Sequence, residues 1–160
     1  MDPETKKRTL RLLTYGMYIM TARNGDEYAA GAFNWLSQAS FNPPLVMAGV
    51  RADSHLHALI EQSGMFAVNV LSISQKELAS AFFRPSKIEG GRINGYAFEA
   101  GEETGAPWLL DAPACFEAKV TGSVKGGDHT VYVAQVIGAR LRDGGAKPLI
   151  MWDTGWFYGG

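Results

Sequence analysis

GAFNWLSQASFNPPLVMAGVRADSHLH, residues 31–57, is the stretch on which the fold turns. Two strand-like runs flank a turn built on Asn42, Pro43 and Pro44. The second run, Leu45 to Val50, is apolar and stops at Arg51. Asp53-Ser54 then opens a short helix, Ser54 to about Ser63, which Gly64 ends. A strand that delivers a cation, a hydroxyl and a fresh helix N-terminus to one place makes an anion site, because the first-turn N–H groups and the positive end of the dipole face outward there. Just upstream, Asn34, Trp35, Ser37 and Gln38 offer an aromatic face and amide groups. Together these features suggest a flat heterocycle carrying a phosphate.

The chain on either side reads as strand-rich. Asp2-Pro3 starts a short helix to about Leu12. Tyr15 to Ala22 is a strand, Asn24-Gly25 a hairpin turn, and Tyr28 to Asn34 the returning strand. After the 54–63 helix comes a strand over 66–71. Ser74-x-x-Glu77 predicts a capping box for a helix running to about Phe83 and stopped by Pro85. Residues 84–96 are polar and glycine-rich and predict a surface loop. Cys115 to Val124 and His129 to Leu141 face each other across Lys125-Gly126-Gly127-Asp128. Leu149 to Trp152 and Trp156 to Tyr158 predict a last hairpin around Asp153-Thr154-Gly155. A closed antiparallel barrel is the natural way to remove the edges of so many strands, although periodicity does not separate it from a sandwich.

Composition narrows the class. At 160 residues the expectation is one domain, 1–160, with a full core. A net charge of −1 with 19% charged residues suggests neither disorder nor a nucleic-acid partner. The lone Cys115 points to a reducing compartment, and neither a membrane-length apolar run nor a signal peptide is visible, so a soluble cytoplasmic protein is expected. No G-x-G-x-x-G, P-loop or G-x-S-x-G motif occurs. His55 and His57 lack a partner set for zinc, so no metal is expected. Any redox chemistry would have to be carried by a cofactor.

Several of these residues also have plain structural readings. Ser54 is a helix cap in any case, and a lone arginine at a strand end is commonly solvated. Trp35 could be core, but Asn34, Ser37 and Gln38 beside it place this strand at a wet cleft. Phe82 and Phe83 read as core, and Trp152 and Trp156 as packing in the barrel or at a subunit contact. His129 follows Gly126-Gly127-Asp128, a turn that should leave its side chain free to project.

Four pieces carry a resemblance to a known family: N-W-x-S-Q-x-S-F-x-P-P-L (34–45), Arg51-Ala52-Asp53-Ser54, the strand 66–71 (FAVNVL), and Gly127-Asp128-His129-Thr130. In order and spacing, from about Tyr15 to Tyr158, the chain resembles the flavin reductase-like family of FMN-binding split-barrel proteins. The resemblance implies a mainly β split barrel with Greek-key connections and a few short helices. It implies FMN as cofactor, with FAD also possible, and NADH or NADPH as electron donor. It assigns Asn34, Trp35, Ser37 and Gln38 to the flavin ring, and Ser54 and Arg51 to its phosphate. A basic residue from the 84–96 loop, Arg92 rather than Lys87, would reach toward the cofactor, and His129 would contact cofactor or donor as the catalytic residue. A homodimer is implied. The expected reaction is hydride transfer from the nicotinamide to the flavin, with electrons passing on to a flavin, oxygen or a redox protein. Two alternatives stay open: a flavoredoxin-like FMN electron carrier with little NAD(P)H activity, and a non-catalytic flavin-binding module.

Overall fold

The computed structural model describes residues 1–160. Asp2 caps α1 (Pro3–Leu10), its carboxylate accepting the Thr5 N–H at 2.8 Å, with proline in the first turn. β1 (Tyr18–Asn24) and β2 (Glu27–Phe33) form a hairpin through Gly25, whose φ of 59° suits a residue without a side chain. β3 (Leu36–Ser40) and β4 (Leu45–Arg51) form a second hairpin. α2 (His55–Ser63), β5 (Met65–Val70) and α3 (Lys76–Ala81) follow. Four short strands come next: β6 (Ile88–Glu89), β7 (Arg92–Ile93), β8 (Tyr96–Ala100) and β9 (Pro107–Leu109). The long pair β10 (Ala114–Lys125) and β11 (His129–Leu141) and the short α4 (Met151–Thr154) complete the order. No helix is long and apolar enough to cross a membrane.

The architecture is mainly β with short helices, as expected. Seven strands form one antiparallel sheet in the order β2-β1-β5-β10-β11-β4-β3, and β6 to β9 form a small second sheet. The large sheet is not closed by hydrogen bonds: β2 and β3 remain edges. α2 packs against β1, β2 and β4 and buries Leu56, Leu59 and Ile60 in one core with Met20, Phe33, Phe66 and Tyr132. A second core lies on the other face, where Ile19, Ala67 and Leu71 meet Leu78, Trp108 and Leu109. β1 and β5 are therefore covered on both sides, which is why they read as mostly apolar runs rather than alternating ones.

Asn69 interrupts the β5 run and is fully buried. Its Nδ2 donates to the carbonyls of Ile19 and Pro107, each at 3.2 Å, and its Oδ1 accepts the Leu109 N–H at 2.7 Å. Cys115 Sγ donates to the same oxygen. One amide thus ties β5 to β1, β9 and β10.

Three local expectations are corrected. The Ser74-x-x-Glu77 box does not form: α3 begins after Gln75 with no side-chain cap. Gln75 instead accepts the Ser72 N–H and donates to the Asp111 carbonyl, while Ser74 pairs with the Ser72 hydroxyl. The closing hairpin is replaced by α4. Residues 148–150 are claimed by other partners, Pro148 bridging to Ser72 and Ile150 to Gly16. Thr154 Oγ1 then donates to the Met151 carbonyl and accepts the Trp156 N–H, turning the chain. Finally, the 84–96 loop is not irregular throughout, since β6 and β7 form a hairpin over Gly90 and Gly91, both at positive φ.

α2 is pinned to the sheet by polar contacts as well as by its apolar face. Tyr132 donates its hydroxyl to Glu61 at 2.6 Å, Lys125 pairs with the same carboxylate, and His57 Nε2 lies 2.8 Å from Thr130 Oγ1. Lys125 and then Tyr132 hold the Glu61 carboxyl below its usual range. A carboxylate whose folded pKa is depressed stabilises the fold above its unfolded pKa and loses that contribution as pH falls through the folded value. Tyr132→Phe should therefore lower stability by about 1–2 kcal/mol at neutral pH. The difference from wild type should shrink below roughly pH 4. Denaturant unfolding of both proteins at pH 7 and pH 3.5 measures this.

Candidate functional site

A cleft of about 740 Å³ runs along the free edge of β2. That volume lies within the range usual for small-molecule sites. The outward N–H groups of this edge need partners, and the segment after α3 supplies them. Ser86 Oγ accepts the Ala30 N–H at 2.7 Å and donates back to the Ala30 carbonyl, while the Phe82 carbonyl accepts the Ala32 N–H. The cleft opens between this cover, the start of α2 and the stretch Trp156 to Tyr158. Its walls include Ala29, Gly31, Phe33, Phe83 and Trp156.

At one end β4 delivers Arg51 and α2 begins. Ser54 is the N-cap: its Oγ accepts the His57 N–H at 3.1 Å and donates to the Arg51 carbonyl at 2.7 Å. The hydroxyl is thus committed to the cap. The N–H groups of His55 and Leu56, both cleft-lining residues, are left over by helix geometry. Arg51 pairs with Asp53 through Nε at 2.6 Å and Nη2 at 2.8 Å. Asp53 raises the guanidinium pKa, and Arg51 lowers that of the Asp53 carboxyl.

Asn34 lines the cleft and is 5% exposed, yet its Nδ2 has no partner in the protein. A buried amide without a partner is costly to keep. Trp35 packs over Gly49, where a Cβ would come within 3.2 Å of the indole, and its Nε1 is also buried without a partner. Its ring centroid lies 4.4 Å from that of His129 and 5.4 Å from that of Tyr158. These three rings and Arg51, Asp53 and Asp128 surround a second, shallower cavity of about 440 Å³.

His129 opens β11, where pairing with β4 sets it opposite Arg51. The side chain is only 13% exposed and does not project freely as the turn suggested. Nδ1 bonds Asp128 at 2.8 Å and Nε2 bonds the Tyr158 hydroxyl at 2.9 Å. His129 holds the Asp128 carboxyl below its ordinary range, and burial pushes the Tyr158 phenol up.

The structure thus brings Asn34, Arg51, Ser54 and His129 together, with Trp35 behind them. Ser37 and Gln38 lie apart on exposed β3, paired with Met47 and Val46, and line neither cavity. Arg92 donates to the Gly95 carbonyl at 2.9 Å and Lys87 pairs with Glu89 at 2.8 Å, both away from the cleft. The basic residue of this region that lines it is Arg84. Phe82 is buried as expected, but Phe83 is 58% exposed and meets Trp156 edge to face in the cleft wall. His55 lies 3.7 Å from Glu27, apart from the contact of His57 with Thr130. Arg84, Ser86, Trp156 and Tyr158 carried no local signal that marks a site.

The donors fit a flat heteroaromatic ligand with an anionic tail: an orphan amide on an apolar wall, free helix N–H groups and a guanidinium at the mouth. Replacing His129 with Ala removes two hydrogen bonds and a ring packed on Trp35. Stability should fall by about 1–2 kcal/mol, more than a free surface histidine would cost. Chemical denaturation of the two proteins gives the difference.

The family model described as "Flavin reductase like domain" matches residues 10–160. NADPH-flavin oxidoreductase of Streptomyces viridifaciens is 32% identical over 153 residues, 92% of this chain and 78% of that protein. Diflavin flavoprotein A 1 of Synechocystis is 30% identical over 142 residues, 88% of this chain; the chain spans 24% of that much longer relative. The NADH:FAD oxidoreductase of Streptomyces globisporus, solved with NAD and FAD fragments, superposes with a TM-score of 0.79 at 27% identity, covering 94% of this chain and 90% of that one. With a match over nearly its whole length and a fold shared to that degree, this chain belongs to the flavin reductase-like family.

Proposed function

We propose that the chain, as one domain over 1–160, is an FMN-binding NAD(P)H:flavin oxidoreductase that acts as a homodimer in the cytoplasm. The observation that carries this reading is the buried, unpartnered Nδ2 of Asn34, a residue lining the cleft whose far end holds Arg51 and the start of α2. The Streptomyces relatives named above, which reduce flavins with NADPH or NADH, support it. Bound FMN would supply the two-electron chemistry, with NADH or NADPH as donor and a flavin, oxygen or a redox protein as acceptor. FAD is the other candidate flavin.

The protein's own groups divide the remaining work. The His55 and Leu56 N–H groups and Arg51 hold a phosphate dianion. Asn34 Nδ2 donates to the polar edge of the ring. Phe83 and Trp156 keep water from its face. Asp128 fixes His129 at Nδ1, so Nε2 is the atom that can hold or pass a proton once Tyr158 releases it. The buried lone thiol of Cys115, its pKa raised chiefly by burial, suits a reducing compartment.

Val124 and Val131 stand exposed opposite each other on β10 and β11, and exposed Met47 on β4 lies two residues from Gly49, the partner of Val131, which supports the dimer. Sedimentation showing only monomer at micromolar concentration would refute that part.

The test of function is titration of the purified protein with FMN and riboflavin, then anaerobic addition of NADH and NADPH. FMN should bind about a hundredfold tighter than riboflavin, since two or more charge-assisted bonds go to the phosphate. Bleaching of bound flavin should follow with one or both donors; tight FMN with no bleaching would favour the electron carrier. Asn34→Ala should weaken FMN about tenfold while leaving stability within about 0.5 kcal/mol of wild type, because it deletes a group with no protein partner. Unchanged FMN affinity in this variant would remove Asn34 from the site.

A further inference from the structure

The two cavities of the site are separated by a wall, and the wall is made of side chains. Arg51, His129 and Tyr158 line both cavities. Tyr158 completes the wall through a 2.9 Å hydrogen bond to His129 Nε2 and edge-on packing of its ring against His129 and Trp35. Tyr158 stands between Gly155 (φ 73°) and Gly159 (φ 91°), positions where the backbone turns without steric cost. Its stretch is tethered from outside the site: Arg11 of the α1 end lies 4.9 Å over the Phe157 ring and donates from Nε to the Gly159 carbonyl.

Where a ligand phosphate is held at Arg51 and the α2 N-terminus, anything esterified to that phosphate must continue past Arg51. The space there is the second cavity. It offers the Trp35 indole, whose buried Nε1 has no partner while Tyr158 lies beside it. It also carries Asp53 and Asp128, which repel a second phosphate.

We propose that Tyr158 is a size gate that sets the flavin preference of this site. With Tyr158 bonded to His129 the cleft takes a mononucleotide and disfavours a dinucleotide. With the ring swung away, the cavities merge into one groove in which an adenine can stack on the Trp35 ring. This inference rests on the flavin reading given above and adds the residue that chooses between FMN and FAD.

The experiment is equilibrium binding of FMN and of FAD, followed by flavin fluorescence, to four proteins: wild type, Tyr158→Ala, Tyr158→Phe and Arg11→Ala. Wild type should bind FMN more tightly than FAD. Tyr158→Ala should narrow that ratio at least tenfold through tighter FAD binding. Tyr158→Phe keeps the ring and loses the bond, so its ratio should fall between those two. Arg11→Ala touches neither cavity and should shift the ratio in the same direction by loosening the tether. Thermal melting of each variant reports folding, and the Phe and Arg11 variants carry the test if the Ala variant does not fold. An unchanged ratio in the folded variants overturns the gate, as does equal weakening of both flavins. Binding of neither flavin to wild type overturns the flavin reading itself, and the gate with it.

Discussion

The constraint behind the rest of the molecule is that its seven-stranded sheet does not close. β2 and β3 are left as edges, and an edge strand exposes backbone groups that need partners. The chain meets the need at β2 in two ways. Ser86 and Phe82 take the outward N–H groups of Ala30 and Ala32. α2, packed beside β1, β2 and β4, fills the opening with Leu56, Leu59 and Ile60 and is held by Glu61 and His57 to β11. A helix wedged in this way must begin somewhere along the opening. It begins at Ser54, next to the cleft, so the first-turn N–H groups are presented where a ligand can reach them. The proposed anion site would be a consequence of how the sheet is plugged.

Two asparagines show the difference between scaffold and site. Asn69 and Asn34 are both buried side chains on or beside strands. Asn69 uses its amide on three backbone groups and a thiol, tying β5 to β1, β9 and β10. A fully satisfied buried amide rigidifies its surroundings. Asn34 offers its donor to nothing in the protein. A fold gains nothing from such a group, so its presence on the cleft wall is best explained by a ligand that completes it.

How much of this was legible in the sequence follows from how local each determinant is. The helix at 54–63 was readable because its cap and its stop, Ser54 and Gly64, sit within its own ends. The strands around it were readable from apolar runs, and Arg51, Ser54 and His129 from their places beside turns and ends. The cover over β2 was not readable, because Ser86 finds Ala30 across 56 positions and looks like any loop serine. Arg84 and Arg92 are alike in composition, and only the path of the chain after α3 decides which one meets the cleft. The last stretch alternates like a hairpin. Its partner was decided elsewhere, by Gly16 and Ser72, which capture 148–150 and send 156–158 across the site.

That crossing also explains the charge arrangement around Arg51. Its partner Asp53 is well exposed, and water screens such a pair, so the pair holds the guanidinium in place without binding it strongly. Asp128 is likewise exposed and is turned toward His129. Under the proposed function an incoming dianion would meet a cation already placed beside the start of α2, and displacing one screened carboxylate costs little against two or three charge-assisted bonds. Fixing a flexible side chain before binding lowers the ordering cost of the complex. The acidic neighbours of Arg51 are thus compatible with anion binding on the cleft side, while on the other side of Tyr158 the same carboxylates face the second cavity and oppose a further phosphate. One arginine between two carboxylates gives the site its polarity, and the Tyr158 ring marks where that polarity changes.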